Sequence, residues 1–325
     1  MNRIRKEIMK VIIKDLKEGI LLPLLEKIQN DDTLQLEFRE NYISIYYRGG
    51  CISKLEYKNT NYYQDYFDNN YKNKFKEIPE EDEEEKLDAN LKVTNIEECK
   101  KLVEKIIERK EYMNSHFANS PKRKREREYQ QAVERENNDN RDSNYYIADI
   151  EYANLDSRFD MIAVQRKDGK SYEKLKPAII EMKYGEKAIS NKCGLYGHYK
   201  DVKNISKEEL VDIIEDAEEI MKYKYELGLI KAKDYINRGI QILNNGEIDF
   251  IFFLSGITDK HKPTVLSDLK KIQDDIVNED FDDAKIKVNV KFYCAFTAGN
   301  VMFDKDILTI EQFLKLTEYR RNIIK

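Results

Sequence analysis

Two short apolar segments of the 325-residue chain carry charge where a strand normally carries another hydrophobic residue. Asp160 lies within residues 158–164, and Glu181 and Lys183 lie within residues 177–184. Both segments are rich in apolar and β-branched residues and flank an Asp-Gly turn, which is typical of neighbouring antiparallel strands. A lone carboxylate in such a strand is costly unless a cation or hydrogen-bond donors compensate its charge. These three residues are therefore the first candidates for a functional site.

The three residue types suit metal-assisted chemistry. Side chains alternate along a strand, so Glu181 and Lys183 share a face with α-carbons about 7 Å apart, and a pairing that aligns the two segments adds Asp160. Two adjacent carboxylates repel, and a hard divalent cation bound through oxygen relieves that repulsion. A lysine on the same face then lies near the metal-bound water or phosphate. The alternative is that both acids face solvent, with Lys183 as a surface partner of little energetic weight.

An Asp on one strand and Glu-x-Lys on the next resembles the PD-(D/E)XK nuclease superfamily, the group of restriction-endonuclease-like proteins. Asp160 matches the motif aspartate, Glu181 the acidic partner and Lys183 the lysine, while Phe159 stands where the motif has proline. The resemblance implies that Asp160, Glu181 and the backbone carbonyl of Met182 hold Mg²⁺ or Mn²⁺. It further implies that Lys183 orients the attacking water.

Three further residues are candidates for the same site. The superfamily often places a supporting glutamate on the helix before the first core strand, and Glu128 matches that position. Glu151, in the strand before Asp160, is either a second acidic metal ligand or an edge charge. His198, in a glycine-flanked segment over residues 194–201 that we expect to be a loop, binds phosphate, assists proton transfer or is simply exposed.

Basic and aromatic residues supply candidate contacts to nucleic acid. The most basic segment of the chain precedes a predicted helix, and its residues are either phosphate contacts or an exposed first helical turn. These residues are Lys122, Arg123, Lys124 and Arg125. Lys222 and Lys224 could line a substrate groove. Tyr46, Tyr47 and Arg48 could stack on bases, and the alternative is a half-buried sheet that carries tyrosines.

Hydrophobic periodicity predicts the elements that position these residues. The predicted helices after residue 95 cover residues 96–113, 128–134, 206–227, 230–244, 263–278 and 308–324, and the predicted strands cover 145–153, 158–164, 177–184, 248–254 and 286–296. Before residue 96, the pattern predicts a helix that Pro23 interrupts and a three-stranded meander over residues 33–57. An acidic run at residues 80–85 is either a solvated loop or linker or has a regulatory or DNA-mimicking role.

The order of these elements predicts an α/β protein with two domains. Residues 96–325 would form a restriction-endonuclease-like αβββαβ core, a mixed central sheet flanked by helices, which is the arrangement that the resemblance implies. Residues 1–95 would form a smaller N-terminal α+β unit that ends in the acidic linker. The resemblance covers roughly residues 120–300 and does not extend to residues 1–95.

Composition narrows the class of protein. The chain is 41% hydrophobic and 37% charged, with a net charge of −5. It contains no run of eighteen apolar residues, so no membrane span is predicted. Its four cysteines and three histidines are scattered, which argues for a reduced, cytoplasmic setting without structural zinc. A negative net charge is untypical of a protein that coats phosphates, so nucleic-acid binding would require a local basic surface.

These observations together predict a metal-dependent nuclease that hydrolyses phosphodiester bonds, with DNA as the expected substrate and RNA as the alternative. The resemblance adds an expected role in antiviral defence against foreign DNA. A competing hypothesis is a catalytically silent nucleic-acid-binding or assembly module of the same fold. The sequence leaves homo-oligomerisation and an ATPase or helicase partner open.

Overall fold

The computed structural model describes residues 6–58, 62–71, 91–119, 125–153, 158–166, 175–185, 194–231, 241–255, 262–278, 285–295 and 299–323. Over these residues the chain is a mixed α/β protein with two β-sheets and eight helices. It divides into two compact units, Asn2–Gln131 with Glu226–Leu229, and Ala132–Tyr225 with Ile230–Lys325. Among the described helices, none has the length and apolarity that crossing a bilayer requires.

The first unit contains a five-stranded antiparallel sheet, with its strands in chain order, and three helices that precede and follow it. Its elements are α1 (Lys6–Glu18), α2 (Leu22–Gln29), β1 (Leu34–Phe38), β2 (Tyr42–Tyr47), β3 (Gly50–Lys58), β4 (Tyr62–Tyr66), β5 (Lys92–Val93) and α3 (Ile96–Asn119). The predicted meander is present as β1 to β3. The strands β4 and β5 were not predicted, and the acidic run at residues 80–85 lies outside the described residues.

Helix α3 belongs to this first unit, whereas the sequence places it in the domain of residues 96–325. Its apolar residues Cys99, Leu102 and Ile106 are fully buried, and the helix contacts α2 and β3. The two units divide at Gln131 and Ala132, inside the next helix, α4 (Arg125–Asp139). The apolar stripe of α3 therefore serves the N-terminal sheet.

The turn between β2 and β3 is fixed by backbone conformation and by side-chain contacts. Arg48 and Gly49 both have positive φ, 49° and 77°, as a two-residue turn matched to the twist of a hairpin requires. The Arg48 guanidinium donates to Asn114 Oδ1 at 2.7 Å and to Glu128 Oε1 at 3.1 Å. The Tyr47 hydroxyl donates to Asn114 Oδ1 at 2.9 Å. Tyr47 and Arg48 thus make contacts within the unit, in agreement with the half-buried sheet.

A buried ion pair links α3 to the sheet of the first unit. Arg109 and Asp65 have side chains only 1% and 0% exposed, and the guanidinium donates to both carboxylate oxygens, at 2.6 and 3.2 Å. The Ser53 hydroxyl donates to Asp65 Oδ1 at 2.6 Å. Because two-point pairing and an added donor satisfy the carboxylate, this pair tolerates complete burial.

The second unit contains a six-stranded mixed sheet in the order β11-β10-β9-β8-β7-β6. Its strands are β6 (Tyr145–Ala153), β7 (Arg158–Gln165), β8 (Lys176–Tyr184), β9 (Glu247–Ser255), β10 (Lys287–Cys294) and β11 (Ile307–Leu308), and its further helices are α5 (Leu195–Lys203), α6 (Lys207–Glu226), α7 (Lys262–Val277) and α8 (Ile310–Ile323). The first three strands pair antiparallel, and β8, β9 and β10 pair parallel. The five predicted strands are present, with ends that differ by at most two residues from those predicted.

The helix predicted over residues 230–244 is absent from the parts of that range that the structure describes, residues 230–231 and 241–244. Ile242 forms a parallel bridge with Leu175, and the Leu243 N–H donates to the Leu175 carbonyl at 2.7 Å. Residues 232–240 lie outside the described ranges. This prediction was wrong for residues 241–244. Their apolar spacing suits a helix, but their backbone pairs with Leu175, the residue that precedes β8.

The central strand β9 has the burial that its largely apolar residues predict, because both of its faces are covered. Its apolar run is interrupted by the fully buried Asp249, which pairs with Lys176 and Lys291. Phe250, Phe252 and Leu254 belong to the large core that also contains buried residues of α5, α6 and α7. The intervening residues Ile251 and Phe253 are also fully buried. Its neighbour β8 is also buried over most of its length, so a charged side chain on β8 requires an ion-pair or hydrogen-bond partner close by.

Substitution of Asp65 by alanine is expected to destabilise the first unit by about 3–5 kcal/mol, because it leaves the Arg109 guanidinium buried without its carboxylate. Hydrogen exchange of the β4 and α3 amides measures this effect for that unit alone. The matched control is Glu7→Ala, which removes the exposed ion-pair partner of Lys10 and is expected to leave exchange unchanged. Equal effects of the two substitutions would contradict a stabilising buried pair.

Candidate active site

The register of β7 and β8 brings Asp160 and Glu181 to the same face. The last ladder pair of these antiparallel strands is Met161 opposite Ile180, and one step further Asp160 stands opposite Glu181. Opposite residues of an antiparallel pair share a face, with Cβ atoms about 4.5–5.5 Å apart. Lys183 follows two residues later on that face. The strand pairing thus produces the juxtaposition on which the predicted metal site depends.

Asp160 is held by the backbone of the neighbouring strand. The residue is half-buried, and its Oδ2 accepts a hydrogen bond from the Met182 N–H at 2.8 Å. Because the backbone ladder ends at Met161, the Asp160 carboxylate acts as the acceptor that β7 would otherwise supply. The N–H and carbonyl of one strand residue face the same neighbour, so the Met182 carbonyl also faces the β7 side.

Glu181 and Lys183 form a buried ion pair within β8. Each residue is only 5% exposed, and the Lys183 Nζ donates to Glu181 Oε1 at 2.7 Å. A buried ion pair recovers little more than its own desolvation cost, so it is weak evidence of a role in stability. Ionisable groups retained in such surroundings are candidates for function.

His198 completes a polar cluster around Glu181. Its Nδ1 lies 3.2 Å from Glu181 Oε1, the same oxygen that Lys183 contacts. Burial, and then the positive charge of Lys183, lower the pKa of His198 from 6.5 to about 4. Both causes favour the neutral imidazole at pH 7, with Nδ1 beside the Glu181 carboxylate.

The segment that carries His198 is the helix α5, and the predicted loop over residues 194–201 was wrong. Leu195, Tyr199 and Val202 recur at helical spacing and are buried in the core of the second unit. Burial of this stripe outweighs the helix-weakening effect of Gly197. The helix holds the imidazole on a packed element.

Glu151 stands opposite Asp160 on the edge strand β6, as the register Ile150–Met161 and Tyr152–Phe159 requires. Its φ is 52°, a left-handed conformation that costs a residue other than glycine roughly 1–3 kcal/mol. Such strain concentrates at functional sites. Its role as an acidic ligand stays a prediction, and so does the alternative of an edge charge.

The structure places Glu128 in the first unit, where its carboxylate pairs with Arg48 at 3.1 Å. Its support of a metal site stays a prediction. Farther along α4, in the second unit, the buried Glu134 binds Lys224 of α6 and accepts from Asn138 Nδ2 at 3.3 Å. Lys224 is 1% exposed, so this lysine does not line a groove.

The basic segment is described only where helix α4 begins. Arg125 is exposed at the first position of that helix. The other three predicted phosphate contacts, Lys122, Arg123 and Lys124, lie outside the described residues. Phosphate binding by this segment stays a prediction.

Two buried acids near these strands were missed by the sequence analysis. Asp149 is fully buried in β6, opposite Ile162, and Asp216 of α6 accepts a hydrogen bond from the Tyr152 hydroxyl at 3.1 Å. The criterion that identified Asp160, a carboxylate inside an apolar strand, would have identified Asp149 as well. Asp216 gives no such signal, since acids are common in polar helices.

The donor set of the candidate site suits a hard cation that keeps part of its water shell. Over the part of the chain that the structure describes, no three His, Cys, Asp or Glu side chains are grouped as a closed metal cage would require. Mg²⁺ usually binds one or two carboxylates and fills its remaining positions with water and substrate phosphate. Asp160 and Glu181, with the Met182 carbonyl, match that requirement.

Comparison with known proteins finds no matching family model, no matching curated protein and no matching solved structure. Any assignment of function to this site therefore depends on its own residues and geometry.

In the metal-free protein, the pKa of His198 is expected to be about 4, which an NMR titration of the imidazole carbon-bound protons measures. Its neutral form is favoured on folding, so the resulting stabilisation is complete above pH 6.5 and is lost as the pH falls towards 4. Lys183→Gln should raise this pKa but leave it below 6.5, because burial is the larger cause.

His198→Gln assigns the resonance, since the chain has only three histidines. An unshifted His198 pKa in the wild-type protein would contradict the described burial beside Lys183.

Proposed function

We propose that the second unit is a metal-dependent nuclease that hydrolyses phosphodiester bonds. The observation that carries the proposal is the placement of Asp160 opposite Glu181 on paired strands, with Lys183 bound to Glu181. The order of helix, three strands, helices, strand, helix and strand agrees with the αβββαβ core of the PD-(D/E)XK nucleases, which the motif resembles. Motif and topology therefore support the same function independently.

The carboxylates of Asp160 and Glu181 and the carbonyl of Met182 would hold Mg²⁺ or Mn²⁺. When bound there, such a cation lowers the pKa of a coordinated water and offsets negative charge on the phosphate. The hydrogen bond from the Met182 N–H fixes the Asp160 carboxylate beside the Met182 carbonyl. The backbone of Met182 thus orients one of the three donor groups and supplies another.

Lys183 supplies a positive charge whose position is set by Glu181. An ammonium group has three hydrogen-bond donors, and the 2.7 Å contact with Glu181 Oε1 uses one of them. The remaining donors can orient the attacking water and stabilise the charge that develops on the phosphate oxygens. Because the pair is buried, this charge acts where water screens it weakly.

His198 is suited to accept a proton or a hydrogen bond through Nε2. Its Nδ1 lies 3.2 Å from Glu181 Oε1, and a proton on Nδ1 would leave Nε2 as the acceptor. A neutral imidazole held in this way can bind the attacking water without adding charge to the site. Glu181 would therefore position Lys183 and His198 at once.

DNA is the expected substrate and RNA the alternative, and a role in defence against foreign DNA follows from the resemblance alone. The rival hypothesis is a catalytically silent module of the same fold. Loss of a site carboxylate or of the lysine would favour that rival, whereas Asp160, Glu181 and Lys183 all share one face of the sheet. This arrangement favours the enzyme.

Lys183→Ala is expected to reduce Mg²⁺- or Mn²⁺-dependent cleavage by about 100-fold or more, because it removes a buried charge aimed at the reacting phosphate. Cleavage of plasmid, linear duplex, single-stranded DNA and RNA is measured with each metal and with EDTA. Lys287→Ala is the matched control, since it removes an exposed lysine from the opposite end of the same sheet. Absence of cleavage by the wild-type protein, with nucleic-acid binding unchanged in Lys183→Ala, would favour the silent module.

Mn²⁺ is expected to raise the thermal stability of the wild-type protein and not that of Asp160→Asn, a test that does not depend on catalysis. A ligand at about 100 times its Kd stabilises the folded state by about 2.7 kcal/mol. Glu247→Gln, which alters an ion-paired carboxylate at the start of β9, should respond like the wild type. An equal Mn²⁺ response in Asp160→Asn would contradict the assignment of this ligand.

A further inference from the structure

The sheet of the first unit has a face on which tyrosines and lysines alternate. The register places Lys54 opposite Tyr66 and Lys58 opposite Tyr62, and a cross-strand row runs from Tyr42 through Glu56 and Gln64 to Lys92. Opposite residues share a face, and so do alternate residues of β3. We call this surface the tyrosine–lysine face, composed of Tyr42, Lys54, Lys58, Tyr62, Tyr66 and Lys92.

The lysines of this face lie over the tyrosine rings. Lys54 Nζ is 4.0 Å from the ring centroid of Tyr42 and 5.7 Å from that of Tyr66. Lys92 Nζ is 4.3 Å from the centroid of Tyr62. All six residues of the tyrosine–lysine face are half-buried or exposed, so rings and ammonium groups are both accessible from solvent.

The other face of the sheet makes the core of the unit. Ile43, Leu55 and Val93 are fully buried there, and the Tyr63 hydroxyl donates to Asp15 of α1 at 2.6 Å. The helices therefore pack on that face. The tyrosines of the tyrosine–lysine face are not needed to fill the core.

We propose that the tyrosine–lysine face binds single-stranded nucleic acid. Aromatic rings on a sheet surface stack with bases whatever their sequence, and neighbouring cations pair with the phosphates between them. Tyr42 and Tyr66 lie on the strands either side of Lys54, about 10 Å apart across the sheet. Two stacked bases would thus flank a phosphate bound by the Lys54 ammonium. The lysine exchanges a weak cation–π contact for an ion pair with phosphate.

The chemistry of this face favours single strands over the other anionic partners. A duplex hides the faces of its bases, so it could use the lysines but not the rings. An acidic peptide would also use only the lysines. Glu56, the acid within the cross-strand row, is paired with Lys58 at 2.8 Å and does not cancel the charge of Lys54 or Lys92.

The first test measures binding of the full chain to a labelled oligothymidylate by fluorescence anisotropy, in EDTA so that no cleavage occurs. The double variant Tyr42→Leu with Tyr66→Leu is expected to bind at least about ten-fold more weakly, because it removes two stacking platforms. The matched control is Tyr42→Phe with Tyr66→Phe, which keeps both rings and should bind like the wild type. Equal affinity of the leucine and phenylalanine variants would overturn the proposal.

The second test measures how affinity depends on salt. Replacing Lys54 and Lys92 by glutamine should reduce the slope of log affinity against log salt by about 1.4, since each phosphate contact to a single strand contributes about 0.7. The control replaces Lys14 and Lys101, exposed lysines of α1 and α3, and should leave the slope unchanged. Equal slopes for both double variants would overturn the proposal.

Two competitors separate stacking from charge alone. Unlabelled single strands should displace the probe at lower concentration than a duplex or polyglutamate of equal charge. Displacement by polyglutamate as effective as by single strands would identify an acidic protein as the partner and overturn the proposal. Because no variant here alters Asp160, Glu181 or Lys183, binding and nuclease activity are tested independently.

Discussion

The second unit depends on the compensation of one buried carboxylate, that of Glu181, in a strand with neighbours on both sides. An ionised group at this depth persists only if donors surround it, and Lys183 and His198 both approach its Oε1, at 2.7 and 3.2 Å. Lys183 belongs to the same strand and His198 to helix α5. The position of that helix is therefore tied to the charge that it covers as well as to the core that it fills.

The end of the β7–β8 ladder is equally important, because it frees a backbone donor for Asp160. Beyond Met161 and Ile180 no ladder pair is formed, and the Met182 N–H binds the Asp160 side chain instead. If the ladder continued, that N–H would be occupied by β7. The ladder of β7 and β8 is long enough to fix the register. Beyond its end, the Asp160 carboxylate replaces a backbone carbonyl of β7 as the acceptor for Met182 N–H, and this hydrogen bond holds the carboxylate at the candidate site.

The sequence predicts these features to the extent that they are local. Strands β6, β7 and β8 and the convergence of Asp160 with Glu181 follow from apolar runs and their alternation. Strand β4 does not, because its buried Asp65 is compensated by Arg109, which lies 44 residues away. The loop expected around His198 is a helix because tertiary burial outweighed a glycine signal. Likewise, the resemblance that selects Glu128 does not indicate that the boundary between the two compact units falls within α4, at Gln131 and Ala132.

The formal charges of the candidate site bear on the order of binding. Two carboxylates, one ammonium and a neutral imidazole leave one net negative charge beside the position that the proposed function gives to a phosphate. At 4 Å and an effective dielectric constant of 20, a like unit charge costs about 4 kcal/mol. The site of the proposed nuclease therefore opposes an incoming phosphate until the carboxylates are neutralised. Under the proposed function, this repulsion would make cation binding a condition of productive substrate binding. Affinity for the nucleic-acid strand would then come from cationic surfaces elsewhere on the protein. Such surfaces are what a protein with a net charge of −5 must concentrate locally in order to bind a polyanion.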